Sequence, residues 1–206
     1  MNSFLQITGS FFKDMLTFAL IAIFLENTIF SRAIGTSTVL YTVRKKYNIF
    51  LFGLIMTTVI TVSSIITYFV NPLLQGLSYR YYITPAIYVV IIGIVYLTAL
   101  IVTSSCFPKY KKVILPMIHV STFNCAVLGA LLLSANIANL NFAGYIGFGI
   151  GTGIGYTIAS YFVDLAYERL SSEHVPNAFR GFPITLIYIG IVSLAIYGLI
   201  GHELPF

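Results

Sequence analysis

The chain carries the stretch Ser121-Thr122-Phe123-Asn124-Cys125-Ala126-Val127-Leu128-Gly129 in the middle of an otherwise apolar segment. An amide side chain in hydrocarbon costs free energy unless it finds a hydrogen-bonding partner, so Asn124 indicates a structural or functional role. The neighbouring thiol of Cys125 has three interpretations: a small buried hydrophobe, a metal ligand or a redox group. The function of the chain depends largely on which of these holds.

The composition is that of an integral membrane protein. Of 206 residues, 58% are hydrophobic and only 8% are charged, and the mean hydropathy is +0.94, whereas a soluble domain carries about 25% charged residues. The net charge of +5 does not indicate nucleic-acid binding, because the basic residues lie in short clusters between apolar runs, as topology determinants do. Two cysteines, Cys106 and Cys125, predict neither a disulfide framework nor a zinc site made by this chain alone.

The sequence predicts one all-α membrane domain, residues 1–206, with six transmembrane helices. A bilayer-crossing helix needs roughly 20 mainly apolar residues. Six segments qualify, at residues 15–30, 49–70, 83–102, 113–134, 142–165 and 183–200.

The first and fourth helices are predicted to be broken. Glu26, Asn27 and Arg32 lie where the first segment should meet hydrocarbon, and residues 33–38 add a glycine and hydroxyl stretch. Irregular backbone at this depth is tolerated only inside protein or beside water. Glu26 and Arg32 either form a structural ion pair at the break, or Glu26 belongs to an ion or proton path.

The basic residues predict the orientation in the membrane. Eight of them lie in the loops after the first, third and fifth segments, whereas only Lys13 and Arg80 lie on the other side. By the positive-inside rule, both termini are therefore outside. The expected location is the cell inner (cytoplasmic) membrane, with several passes.

The two halves of the chain resemble each other. Ile92-Gly93-Ile94-Val95 recurs 97 residues later as Ile189-Gly190-Ile191-Val192, and Asn27 and Asn124 are also 97 residues apart. These matches predict a duplicated three-helix unit, with repeat 1 at about residues 11–103 and repeat 2 at about residues 113–202. Because three is odd, the second copy is inverted. Inverted repeats place their site near the midplane, where Asn27 and Asn124 are expected to approach each other.

The fifth segment contains six closely spaced glycines, which we interpret as one glycine-rich face for close helix packing. The run consists of Gly144, Gly147, Gly149, Gly151, Gly153 and Gly155. It is not a nucleotide-binding fingerprint, because no strand precedes it.

Several motifs together carry a family resemblance. The second half contains Asn124-Cys125-Ala126-Val127-Leu128-Gly129, the glycine-rich segment, Glu168-Arg169-Leu170, Val175-Pro176 and Phe179-Arg180-Gly181, and the first half contains Glu26-Asn27 and Ile34-Gly35. With these motifs the chain resembles the RnfA/NqrE membrane subunits of the Rnf and Na⁺-translocating NADH:quinone oxidoreductase complexes over nearly its whole length. The resemblance implies six helices in inverted halves within the lipid bilayer. It also implies a homologous partner subunit of opposite topology and other Rnf/Nqr-type subunits.

The same resemblance implies a [2Fe–2S] cluster midway through the bilayer, with two Cys from each of the paired subunits. The Cys of the Asn-Cys-Ala motif is Cys125 here, whereas the position of the other Cys holds Ser37. A serine oxygen is a poor replacement for a thiolate on iron, because it is hard and its proton is difficult to remove. The cluster is therefore either bound with altered ligation or absent.

These observations favour a membrane subunit of an Rnf/Nqr-type ion-translocating electron transport complex. Such a subunit helps to carry electrons across the bilayer through a midplane site shared with its homologue. The alternatives are a cluster-free scaffold or ion-path subunit of a related complex, and an inverted-repeat small-solute transporter. The predicted cofactor residues are Cys125 and Ser37, with Cys125 as metal ligand, and Glu26, Asn27 and Asn124 are the predicted ion-path or structural polar residues. No nucleophile–base set appears, so we expect no catalysis by this chain alone.

Overall fold

The computed structural model describes residues 2–76, 79–106, 108–137, 140–170, 172 and 175–200. These residues form helices joined by turns, with no strand among them, which confirms the predicted all-α class. The helices are α1 (Asn2–Leu20, continued by a π-helical turn at Ile21–Leu25), α2 (Thr36–Arg44), α3 (Ile49–Gln75), α4 (Arg80–Cys106), α5 (Lys111–Thr122, after a 3₁₀ turn at Pro108–Tyr110), α6 (Cys125–Asn136), α7 (Phe142–Leu170) and α8 (Phe182–Ile200).

Four helices of the described chain are long and apolar enough to cross a bilayer: α1 with its π-helical turn, α3, α4 and α7. The α5–α6 pair makes a fifth candidate, because the two helices pass the same test together and are bent by 48°. This bend confirms the predicted break of the fourth segment. The apolar part of α8, Phe182–Gly198, is shorter than these spans.

Helix α7 packs between α1 and α3. Its small residues allow the backbones of these helices to approach closely. One glycine row, repeating every fourth residue, faces α1: Gly147 lies against Met15, Gly151 against Ala19 and Gly155 against Ile23. The residue numbers within each pair differ by the same 132, so α1 and α7 run in the same direction. A Cβ at Gly151 would lie 2.7 Å from the Ala19 Cα, so only glycine allows this approach.

A second row faces α3. Here Gly149 lies against Thr61, Gly153 against Thr57 and Thr157 against Gly53. The residue numbers within each pair have the same sum, 210, so α3 and α7 run in opposite directions. Close approach through small side chains is the usual packing mode of membrane helices, since burial of apolar surface gives no drive between helices in lipid.

The predicted single glycine face is therefore wrong in one respect, because the glycines form two faces. Residues two apart on an α-helix are separated by about 200° around its axis. Gly149 and Gly153 consequently face α3. Gly151, which lies between them, and Gly155, which follows them, face α1. The prediction that this run serves helix packing is confirmed.

Candidate functional site at two helix breaks

The first break lies between the π-helical turn and α2, and Asn27 holds its shape. The Asn27 Oδ1 accepts hydrogen bonds from the N–H groups of Ile29 (3.0 Å) and Phe30 (3.1 Å). Its Nδ2 donates to the Ile23 carbonyl oxygen (3.0 Å) and to the Gly155 carbonyl oxygen on α7 (3.2 Å). The side chain is buried. The polar residue that interrupts the first segment thus satisfies backbone groups that the missing helix turn leaves open.

The chain leaves this break through Gly35, whose φ is +87°. L side chains rarely adopt this left-handed conformation. A Cβ at Gly35 would also lie 2.9 Å from the Ala126 Cβ and 2.9 Å from Cε2 of Tyr156. Glycine is therefore required here both for its backbone conformation and for the approach of α6 and α7.

The second break lies at Phe123 and Asn124, and Asn124 caps α6. Its Oδ1 accepts a hydrogen bond from the Ala126 N–H (3.1 Å), the usual N-cap arrangement. Its Nδ2 donates to the hydroxyl oxygen of Tyr156 (3.0 Å). That hydroxyl in turn donates to the carbonyl oxygen of Gly35 (3.1 Å). A buried chain of hydrogen bonds therefore connects the second break, α7 and the first break.

Asn27 and Asn124 play the same local role. The side-chain oxygen of each accepts from the backbone N–H two residues later, and the amide nitrogen of each donates to α7. Their acceptors on α7 belong to the consecutive residues Gly155 and Tyr156. The structure therefore connects the two asparagines only through α7, and their direct approach near the midplane stays a prediction.

Tyr156 was not among the residues that sequence patterns single out. It is fully buried and belongs to neither break, and it is one of 15 tyrosines in the chain. Its hydroxyl becomes significant only when the fold brings Gly35 and Asn124 to its two sides.

The two predicted cofactor residues lie beside this junction. Cys125 is the first residue of α6, and Ser37 is the second residue of α2. Each lies within two residues of the contact between Gly35 and Ala126, and each is exposed on the isolated chain. The interpretation of Cys125 as a small buried hydrophobe is therefore wrong for the isolated chain, because the helix break turns it outward. Cys106, exposed at the end of α4, belongs to no break.

The donor set does not match the implied cluster. The resemblance implies two thiolates from each chain, whereas the junction offers the Cys125 thiol and the Ser37 hydroxyl. Across the described residues, no group of three or more His, Cys, Asp and Glu side chains could hold a metal ion. Cys125 is exposed beside the junction, but Ser37 offers an oxygen where the implied cluster needs a second thiolate, so we assign no electron-transfer step to a cluster.

Glu26 and Arg32 form an ion pair across the first break. The Arg32 Nε donates to Oε2 of Glu26 (2.8 Å) and its Nη2 donates to Oε1 (2.9 Å). This ion pair agrees with the first of the two interpretations, in which Glu26 and Arg32 form a structural pair at the break. A role of Glu26 in an ion path stays a prediction.

The fold and the junction define a class of protein: an all-helical, multi-pass membrane protein with two helix breaks joined on a glycine-rich helix. Residues 15–202 match the family described as "Rnf-Nqr subunit, membrane protein", and the chain belongs to this family.

Individual relatives agree with the family match. The chain is 36% identical over 187 residues, 89% of this chain and 95% of the relative, to one subunit of the "Na(+)-translocating ferredoxin:NAD(+) oxidoreductase complex" of Acetobacterium woodii. It is 38% identical over 152 residues, 72% of this chain and 77% of the relative, to one subunit of the "Ion-translocating oxidoreductase complex" of Glaesserella parasuis. The protein of the same description from Vibrio campbellii is 36% identical over the same shares.

Proposed function

We propose that this chain is a membrane subunit of an ion-translocating oxidoreductase complex and that its junction face, defined as the surface around Cys125 and Ser37, meets a second membrane subunit. The observation that carries the proposal is the exposure of both side chains beside a fully buried polar junction. A polar, exposed patch at membrane depth is costly in lipid, so a protein partner is the favoured cover. The names of the relatives support membership of such a complex.

The proposal includes six membrane crossings. Helices α1 and α7 run in the same direction and α3 runs in the opposite one. If α5 and α6 formed a hairpin that returned to its starting side, α7 would run parallel to α3. One crossing by the bent α5–α6 pair therefore agrees with the packing. In the proposal, α2 completes the first crossing and α8 makes the sixth, so both termini lie on one side of the inner membrane, and the basic loops on the opposite side make that the outer side.

The proposal also retains the inverted repeat. Two features support it: the 97-residue offset between Asn27 and Asn124, and the matching hydrogen bonds of their side chains. An inverted repeat places the junction near the midplane. A homologous subunit of opposite topology would then present its own junction at the same depth, and we propose that the partner is of this kind.

Site-directed cross-linking tests the junction face in the membrane-embedded complex. The Cys106→Ser variant keeps Cys125 as its only thiol, and the Cys125→Ser variant keeps Cys106. A short thiol-directed photo-cross-linker should join the first variant, and not the second, to a homologous membrane subunit. Equal adducts from both variants, or purification without any homologous subunit, would contradict the proposal. The second outcome would favour the small-solute transporter.

The proposed function allows two forms of the site, one with a shared [2Fe–2S] cluster and one without it. The residue at position 37 bears on which form is present. A shared [2Fe–2S] cluster predicts iron and its characteristic spectrum in the purified complex, lost in Cys125→Ala and kept in Cys106→Ala. The Ser37 hydroxyl favours the second form, a cluster-free scaffold or ion-path subunit, because oxygen is a poor ligand for this iron centre. That form predicts an iron-free junction and unchanged activity in Cys125→Ala. The Ser37→Cys variant adds the missing thiol and provides the matched comparison for iron content.

A further inference from the structure

A long apolar groove runs between α3 and α7, away from the two breaks. It has a volume of about 890 Å³, and its lining extends from Ile49 to Val62 on α3 and from Ile154 to Phe162 on α7. The stretch from Ile49 to Val62 is about 20 Å long at 1.5 Å per residue. The hydrocarbon of one leaflet is about 15 Å thick, half of a core of about 30 Å. The groove is therefore long enough to hold an acyl chain across one leaflet.

The groove is chemically suited to hydrocarbon. Four threonines line it, but each donates its hydroxyl to a carbonyl oxygen four residues earlier on its own helix. These bonds are Thr57 to Gly53 (2.7 Å), Thr58 to Leu54 (2.8 Å), Thr61 to Thr57 (2.7 Å) and Thr157 to Gly153 (2.7 Å). Since these hydroxyls are already satisfied, an acyl chain in the groove leaves none of them unpaired.

Basic residues adjoin one end of the groove. Ile49 begins the α3 side of the lining, and the exposed cluster of Arg44, Lys45 and Lys46 ends three residues before it. On the α7 side, Phe162 also lines a recess that contains Arg169.

Two carboxylates lie near this basic end. Asp164 and Glu168 share a further recess with Arg44 and Lys46, and Glu168 also lines the recess of Arg169. Lys45 lines neither recess. We assign Lys45 and Arg169 to an anionic headgroup, since Lys45 belongs to the exposed basic cluster just before the groove-lining Ile49 and Arg169 lies in the recess that Phe162 shares with the groove.

We propose that this groove binds an anionic phospholipid of the leaflet next to the basic cluster, with one acyl chain along the outer side of the α3–α7 seam and the headgroup phosphate at Lys45 and Arg169. Charge complementarity selects the headgroup, since basic groups at a membrane surface attract anionic lipid. The length and the apolar lining of the groove suit the acyl chain. The site lies outside the junction face, so it does not depend on the proposed function.

The absence of tryptophan from the chain gives a direct test. Phe50 lines the groove and is 76% exposed, and Phe69 lies on the same helix outside the groove and is 61% exposed. Phe50→Trp and Phe69→Trp therefore place a single fluorophore inside and outside the groove by the same conservative change. Each full chain is reconstituted in vesicles that contain either acyl-brominated phosphatidylglycerol or acyl-brominated phosphatidylcholine at equal mole fraction.

The expected result is stronger quenching of the Phe50→Trp variant by the anionic lipid, with an apparent preference of about fivefold for each basic residue engaged. Quenching of the Phe69→Trp variant should follow mole fraction. Lys45→Gln with Arg169→Gln should remove the preference at position 50, whereas Lys13→Gln with Arg80→Gln should keep it. If Phe50→Trp disturbs folding, Leu54→Trp places the probe in the same groove. Equal quenching by both lipids at the groove position, or none by either, would overturn the proposal.

Discussion

Replacing Gly151 by alanine tests the packing of α7 against α1. The added Cβ would lie 2.7 Å from the Ala19 Cα and closer still to the Ala19 carbonyl oxygen. Ordinary contact begins at 3.4 Å, so the two helices must separate by about 0.7 Å or more. The neighbour is backbone, and no side-chain rotation can relieve the clash.

The expected loss of stability follows from two opposing terms. Overpacking of a well-packed contact costs typically about 1–3 kcal/mol, whereas alanine is favoured over glycine inside a helix by about 0.5–1 kcal/mol. We therefore expect Gly151→Ala to lower the free energy of unfolding by about 1 kcal/mol, within a range of about 0–2.5 kcal/mol. The matched control is Gly190→Ala on α8, where the added Cβ meets nothing within 4 Å, and where helix propensity alone predicts equal or higher stability.

Unfolding by sodium dodecyl sulfate in mixed micelles, followed by far-ultraviolet circular dichroism, measures both variants against the native chain. The sign of the difference between the two variants is the decisive quantity. If Gly151→Ala is as stable as Gly190→Ala, the close approach of α1 and α7 is not needed for stability and the packing argument fails.

Three further changes test the junction and the first break in the same unfolding measurement. Tyr156→Phe removes the hydroxyl that connects Asn124 with the Gly35 carbonyl oxygen. Because buried polar groups are then left unpaired, the free energy of unfolding should fall by about 1–3 kcal/mol. An unchanged free energy would mean that other partners satisfy these groups. Asn124→Ser keeps a neutral capping oxygen but not the amide donor to Tyr156, so it should be more stable than Asn124→Ala, which also loses a cap worth typically about 1 kcal/mol; the reverse order would exclude capping as the main role. Glu26→Gln leaves the Arg32 charge without its carboxylate, and because an unpaired charge at membrane depth is costly, the loss should exceed the roughly 0–1 kcal/mol of a pair in water; a loss within that range would indicate that the pair lies in water.

Much of the fold was predictable because polar residues are conspicuous in an apolar chain. Asn27 and Asn124 interrupt segments that otherwise read as simple spans, and the structure breaks or bends both segments at these residues. The physical reason is general. A helix break in hydrocarbon leaves backbone N–H groups without partners, and the polar side chain that accepts their hydrogen bonds is easily recognised among apolar neighbours. The packing role of the α7 glycines was predictable for a different reason, namely that small residues allow membrane helices to approach closely.

The details of the junction were not predictable, because they depend on which helices become neighbours. Periodicity alone does not say that Gly151 faces α1 while Gly153 faces α3, although their angular separation excludes one shared face. Tyr156 carries no local signal, and the exposure of Cys125 follows from the helix bend that precedes it. The length of the first helix was also underestimated, since α1 begins at Asn2, thirteen residues before the predicted apolar segment.

The attachment of both breaks to consecutive residues of α7 leaves that helix with very little mechanical independence. Asn27 holds the Gly155 carbonyl oxygen and Asn124 holds the Tyr156 hydroxyl, so one peptide unit separates the two anchor points. A slide of α7 along its axis would strain both hydrogen bonds and would move the glycine rows out of register with their neighbours on α1 and α3. A displacement of this helix therefore affects both breaks. Helix α7 in this way couples the two halves of the chain.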